Sequence, residues 1–200
     1  MANSGVSRRD VLRSLAVTAT AGSVLTMIPA QAAEFAHNLV QKEKAAAAGK
    51  YVPKFFPAKQ YETLISLCDT IIPKDETSGG AVEAGAPEFI DLISSENVEY
   101  QTQLGGGLMW LDNHCIDEFG KVFMECTPEQ RKTTLDLIAY RKSAKGRPEL
   151  QQGIAFFAVL RNMTCDGFYT SKIGIADLQY IGNTSRTEFP GCPPVPERQA

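Results

Sequence analysis

Apolar positions recur with a helical period through most of the chain. Tyr61, Leu64, Ile65, Cys68, Ile71 and Ile72 fall at i, i+3, i+4, i+7, i+10 and i+11, a single-face stripe. Pro57 near its first turn and Pro73 beyond its end bound that helix. A loop with Gly79-Gly80 and several acids runs to Gly85, and Pro87 opens a short helix carrying Phe89, Ile90, Leu92 and Ile93. Leu104, Leu108, Leu111, Cys115 and Phe119 keep the spacing across Gly105-Gly106-Gly107. Three glycines inside a helix cost roughly 2–3 kcal/mol relative to alanines, so either the helix begins after them or they let another backbone approach. Thr127-Pro128-Glu129-Gln130 reads as a capping box, opening a helix through Leu135 and Ile138 to about Arg141.

The segment from Pro148 to Tyr169 is the most apolar. Leu150, Ile154, Phe157, Cys165 and Phe168 form one face; Phe156, Val159, Leu160 and Met163 form a second. A helix apolar on two faces is usually central and buried. Beyond Thr170 the pattern supports one helical turn near Asp177–Tyr180, then a proline-rich stretch from Phe189 to Pro196. No segment alternates long enough to demand a strand. The expected fold class is therefore all-α, a single irregular bundle-like helical domain over 55–188 with an extended Pro-rich tail over 189–200.

The N-terminus follows a different grammar. Arg8-Arg9-Asp10-Val11-Leu12-Arg13 precedes a mild apolar stretch from Leu15 to Ile28, and Ala30-Gln31-Ala32 follows. A positive region, a short apolar region and a small-x-small site make an export signal. Arg8 and Arg9 before Val11 and Leu12 give it the twin-arginine form, which addresses folded proteins to the Tat translocase; an ordinary secretory signal is the alternative. The apolar stretch is too short and too broken by Thr, Ser and Gly for a membrane span. Residues 1–32 are thus expected to be a leader cleaved after Ala32, with Ala30 and Ala32 as the small residues of the site. The protein is expected in the periplasm, with 33–54 as a loose helix or flexible arm.

Charge and cysteines narrow the field. The chain carries a formal net charge of −3. The leader holds three arginines against one aspartate, leaving the rest at −5. An acidic chain has no electrostatic footprint for nucleic acid. The five cysteines, Cys68, Cys115, Cys126, Cys165 and Cys192, show no C-x-x-C spacing, which disfavours zinc-finger, thioredoxin-like and c-type haem readings. An odd count in an exported chain leaves at least one thiol free or paired with another chain. Cys192 in the tail is the candidate: free, bridged to a partner, or bonded internally to Cys165 or another helical cysteine.

Catalytic chemistry is hard to find. His114 neighbours Asp112 and Cys115, but residues one and two apart on a helix do not converge. His37 lies in the arm. Glu-x-x-His, G-x-G-x-x-G and G-x-S-x-G are absent. Asp75, Glu76, Glu83 and Glu88 lack EF-hand spacing and read as a solvated face. No catalytic, cofactor-binding or metal-ligating residue is assigned. The aromatic face around Phe156, the glycines around Gly106, and the tail prolines Pro193 and Pro194 are candidate partner surfaces.

Several segments together resemble one family. They are the leader arginines; Leu67-Cys68-Asp69-Thr70-Ile71-Ile72-Pro73-Lys74-Asp75 with Gly79-Gly80-Ala81 and Ala84-Gly85; Phe89-Ile90-Asp91; Phe156-Phe157 leading to Thr164-Cys165-Asp166-Gly167-Phe168-Tyr169-Thr170-Ser171; and Tyr180-Ile181-Gly182 with Pro190-Gly191-Cys192. Over most of 55–195 the chain resembles the small subunit, subunit 3 or gamma, of membrane-associated gluconate 2-dehydrogenases. The resemblance implies a non-catalytic accessory subunit of a complex built on a large FAD-dependent flavoprotein of the glucose-methanol-choline (GMC) type. It implies that this chain binds no cofactor itself, that a multihaem cytochrome c subunit can carry electrons onward, and that the small subunit's leader takes the flavoprotein across the membrane. A stand-alone periplasmic helical protein is the other expectation. The resemblance does not fix the sugar substrate.

Overall fold

The structure is a computed structural model and describes residues 30–47 and 49–182. Seven helices account for most of it: α1 Ala30–Ala46, α2 Ala58–Ile71, α3 Ala86–Glu96, α4 Gly106–Phe119, α5 Pro128–Ile138, α6 Gln151–Tyr169 and α7 Lys172–Asp177. There is no strand among the described residues, as the absence of period-2 patterning predicts.

α6 is the centre. It packs on α2, α3, α4, α5 and α7, and its neighbours on every side explain why its sequence is apolar on more than one face. Leu160 is fully buried, with Ile154, Phe156, Met163 and Phe168 nearly so. Phe157, Val159 and Cys165 are only half-buried, so the true inner face mixes the two expected faces. α3 shares the centre: Phe89, Ile90, Leu92, Ile93 and the polar Asp91 and Ser94 are all buried. Gly85, at φ +82, turns the chain into α3.

The glycine run is resolved by packing within the chain. A π-helical stretch, Gln101–Gly105, runs directly into α4, and α4 begins at Gly106. A Cβ on Gly107 would stand 2.0 Å from Cδ2 of Phe156 on α6. In return, a Cβ on Gly153 of α6 would stand 2.3 Å from the Trp110 ring on α4. Each helix supplies one glycine and one large aromatic, so α4 and α6 interlock. Phe156 is 2 % exposed; it is a core residue filling the space over Gly107, not a docking aromatic. Gly106 accepts a hydrogen bond at its carbonyl from Gln152 of α6 at 3.4 Å. The close approach expected at these glycines is thus made by α6.

The capping box forms as read: Thr127 Oγ1 accepts from the Gln130 amide at 3.3 Å and Gln130 Oε1 from the Thr127 amide at 2.9 Å. α5 ends at Ile138, one turn short of the expected Arg141, and a 3₁₀ turn follows over Arg141–Ala144. α7 starts at Lys172 because the Ser171 hydroxyl caps it, accepting from the Gly174 amide at 3.0 Å.

Of the two forms expected for 33–54, helix or flexible arm, the described residues begin as helix. α1 continues to Ala46, and Ala33, Ala36 and Val40 are buried against the core. Alanines allow close approach while adding little to an apolar pattern, which hid this face. A polar seam finishes the docking. Lys44 pairs with Glu88 at 2.5 Å, Lys54 pairs with Glu43, and the His37 ring stacks on Phe89 with centroids 5.1 Å apart. Beyond α1, Asp91 gathers the chain from 51 to 56. It accepts from the Tyr51 hydroxyl at 2.9 Å and from the amides of Lys54, Phe55 and Phe56 at 2.7, 3.1 and 2.9 Å.

The expected cleavage site falls on α1, whose first turn begins at Ala30 and whose Ala32 is buried. Arg8, Arg9, Cys192, Pro193, Pro194 and the tail 189–200 lie outside the described residues.

Candidate partner-binding surface

Two surface features remain open once the core is packed. A groove of about 600 Å³ lies between α2, α5 and α6, with Ile71, Leu135 and Phe157 as its apolar lining and Asp69, Lys132 and Arg161 among its charged residues. Phe157 therefore takes the surface position that the sequence pattern assigned to Phe156. Two adjacent aromatics at a 3.6-residue period cannot be ordered without knowing the neighbouring helix.

The groove's charges are largely committed. Arg131 donates from Nε to the Cys126 carbonyl at 3.1 Å and from Nη2 to the Met124 carbonyl, while its guanidinium lies over the Phe123 ring at 5.7 Å. Lys132 pairs with Asp136 at 2.5 Å along one face of α5. Cys165 follows Phe157 and Arg161 at successive four-residue steps of α6. Burial, then the neighbouring Asp166, pushes its thiol above the ordinary value, with Arg161 opposing. It is a free thiol.

The second feature is apolar. Tyr169, Ile175, Leu178, Tyr180 and Ile181 are five of the ten exposed large hydrophobic residues of the described chain, and Ile181 is 89 % exposed. They sit together in sequence on α7 and its flanks, at the C-terminal end of the described residues. This run carried no periodic signal because α7 is only one and a half turns long.

The groups that could do chemistry are tied into packing. His114 stacks on Trp110 at 5.0 Å, one helical turn away, and Asp112 Oδ1 instead accepts the Phe123 amide at 3.0 Å. Asp75 closes an Asx turn by accepting from Thr77 and Ser78, whose hydrogen bonds hold its carboxyl below the usual range. Glu83 accepts from the Gly80 amide while Glu88 faces Lys44, so the loop acids do not converge. Among the described residues, no three His, Cys, Asp or Glu side chains meet as a metal site requires. No helix among them is long and apolar enough to cross a membrane.

His37 is the interior group closest to physiological titration. Its Nε2 lies 3.1 Å from Thr170 Oγ1, joining α1 to the end of α6. Burial lowers its pKa from 6.5, against the opposing pull of the Gly167 carbonyl and Glu88. The unfolded chain therefore takes up a proton near pH 6.5 while the folded chain resists. The neutral ring's contribution is full above that pH and falls as pH drops toward the folded value. We expect the thermal midpoint to decline from pH 7.5 to 5.5 and the decline to be shallower in His37→Gln, measured by circular dichroism.

Fold and surface define a single all-helical domain with a run of exposed apolar residues on and around α7. The chain belongs to the gluconate 2-dehydrogenase subunit 3 family, whose model matches residues 58–191. The match begins at the first turn of α2 and leaves out residues 1–57, α1 among them. It makes the chain a subunit type of a multi-subunit dehydrogenase. Neither a curated protein nor a solved structure matches it.

Proposed function

We propose that this chain is the non-catalytic small subunit of a periplasmic sugar or gluconate 2-dehydrogenase. It supports maturation and stability of a GMC-type flavoprotein and carries that partner through the Tat translocase. The family membership over 58–191 carries this reading. The twin arginines, Arg8 and Arg9, support it, because the address they form is used by folded cargo. FAD belongs to the flavoprotein, and haem c to a third, cytochrome subunit where one is present. The mature complex works in the periplasm at the membrane surface.

The tied-up histidines and loop acids favour a binding role over catalysis by this chain. Its exposed apolar run from Tyr169 to Ile181 is the docking face proposed for the flavoprotein, with Pro193 and Pro194, which lie outside the described residues, as candidates from sequence. Removal of the leader after Ala32 would leave the mature chain starting at Ala33 within α1, so the first turn must open for the peptidase. Co-expression of a GMC-type flavoprotein subunit from the same source with and without this chain tests the proposal. Flavin-loaded, periplasmic dehydrogenase is expected only when the chain is present.

A further inference from the structure

We infer that Cys115 and Cys126 form an intramolecular disulfide when the protein meets an oxidising compartment. The backbone brings them together from opposite ends of a tight reversal. Gly120, at φ +70, ends α4 and sends the chain back along it. Asp112 of α4 catches the returning strand at the Phe123 amide, 3.0 Å away. Cys115, one turn further along α4, then faces Cys126, two residues before α5; both are free thiols in the structure, and Cys126 is near enough to raise the Cys115 thiol's pKa.

Three contacts hold this arrangement. Cys126 Sγ donates to the Lys121 carbonyl at 3.8 Å, Arg131 Nε donates to the Cys126 carbonyl at 3.1 Å, and Cys115 Sγ lies 3.8 Å from Thr134 Oγ1. Both cysteines are buried in the core cluster. Cys68 is instead held by Thr164 of α6, with the sulfur 3.6 Å from its hydroxyl.

The oxidant is a disulfide donor, either a periplasmic dithiol oxidase or glutathione disulfide. The Cys126 thiolate attacks a donor sulfur and releases one donor thiolate. The Cys115 thiolate then attacks Cys126 Sγ, forming the new S–S bond and releasing the second. The protein loses two protons and two electrons, and the donor disulfide becomes two thiols. Burial pushes the Cys115 thiol up to about 11, so the closed structure reacts slowly. The bond forms while the short 120–126 segment is open, and then locks it. Export bears only on where the chain meets its oxidant.

The test uses the full chain, purified reduced and equilibrated with glutathione disulfide, then denatured, alkylated and digested. Trypsin cuts after Lys121 and Arg131, so Cys126 leaves on Val122–Arg131, away from Cys115. The expected product is that peptide linked to the Cys115 peptide, lost on reduction and absent in Cys126→Ser. The oxidised chain should melt roughly 5–10 °C above the reduced one, from the short closed loop. Alkylation of both residues after equilibration, or a bond from either to another cysteine, overturns the inference. Because the oxidant is supplied in the tube, the outcome is independent of export or of any flavoprotein.

Discussion

Replacing Asp91 with alanine should destabilise the chain by about 3–5 kcal/mol, since it removes the one carboxylate that four hydrogen-bond donors share. Asp91 is fully buried and its two oxygens accept four hydrogen bonds, three of them from consecutive backbone amides. Alanine leaves the buried Phe56 amide and Tyr51 hydroxyl without their acceptor, and the part-buried amides of Lys54 and Phe55 as well. It also frees the segment from 51 to 56, whose Tyr51 and Phe56 are buried in the core. Asp91→Asn keeps one acceptor but turns an amide toward donors, so roughly half the loss is expected. Urea unfolding monitored by circular dichroism measures both. A loss below about 1 kcal/mol in Asp91→Ala would contradict the assignment of Asp91 as the anchor of this segment.

Gly107→Ala should cost roughly 2–3 kcal/mol, a cost that disappears once its neighbour is removed. Alanine favours a helix over glycine by about 1 kcal/mol, which alone would stabilise α4. The added methyl, however, would fall 2.0, 2.2 and 2.6 Å from Cδ2, Cγ and Cβ of Phe156. The nearest atoms include the root of the side chain, so a rotamer change does not clear them. Either Phe156 leaves the core or α4 and α6 part, and overpacking outweighs propensity. In a Phe156→Ala background the same change should be neutral or stabilising. Equal cost in both backgrounds, in a double-mutant cycle of chemical unfolding, would show that the glycine is not there for Phe156.

The two predictions mark where the sequence was legible. Helix α2, the α5 capping box and the central place of α6 follow from period, punctuation and apolar content, which are local. The identity of the buried aromatic was not local. Phe156 and Phe157 differ by 100° on one helix, and only the glycine on α4 selects between them. Asp91 reads as a polar interruption between Ile90 and Leu92 until the chain from 51 to 56 is seen folding over it. α1 was hidden because Ala33 and Ala36 bury little area each and their polar neighbours suggest solvent. Cys115 and Cys126 gave no signal at all, since no motif spacing covers a reversal through an αL glycine. Arg8, Arg9 and the proline-rich stretch 189–200 lie outside the described residues.

The central claim is that this chain escorts a flavoprotein, and its twin arginines make that directly measurable. A GMC-type flavoprotein subunit from the same source is co-expressed with the chain, with Arg8 and Arg9 intact or both changed to lysine, and flavin-dependent sugar dehydrogenase activity is assayed in periplasm and cytoplasm. The account predicts that the double change strands both the flavoprotein and at least nine-tenths of the activity in the cytoplasm, roughly a tenfold periplasmic loss. A flavoprotein that reaches the periplasm normally beside the altered chain would contradict the escort role and point to a stand-alone periplasmic protein.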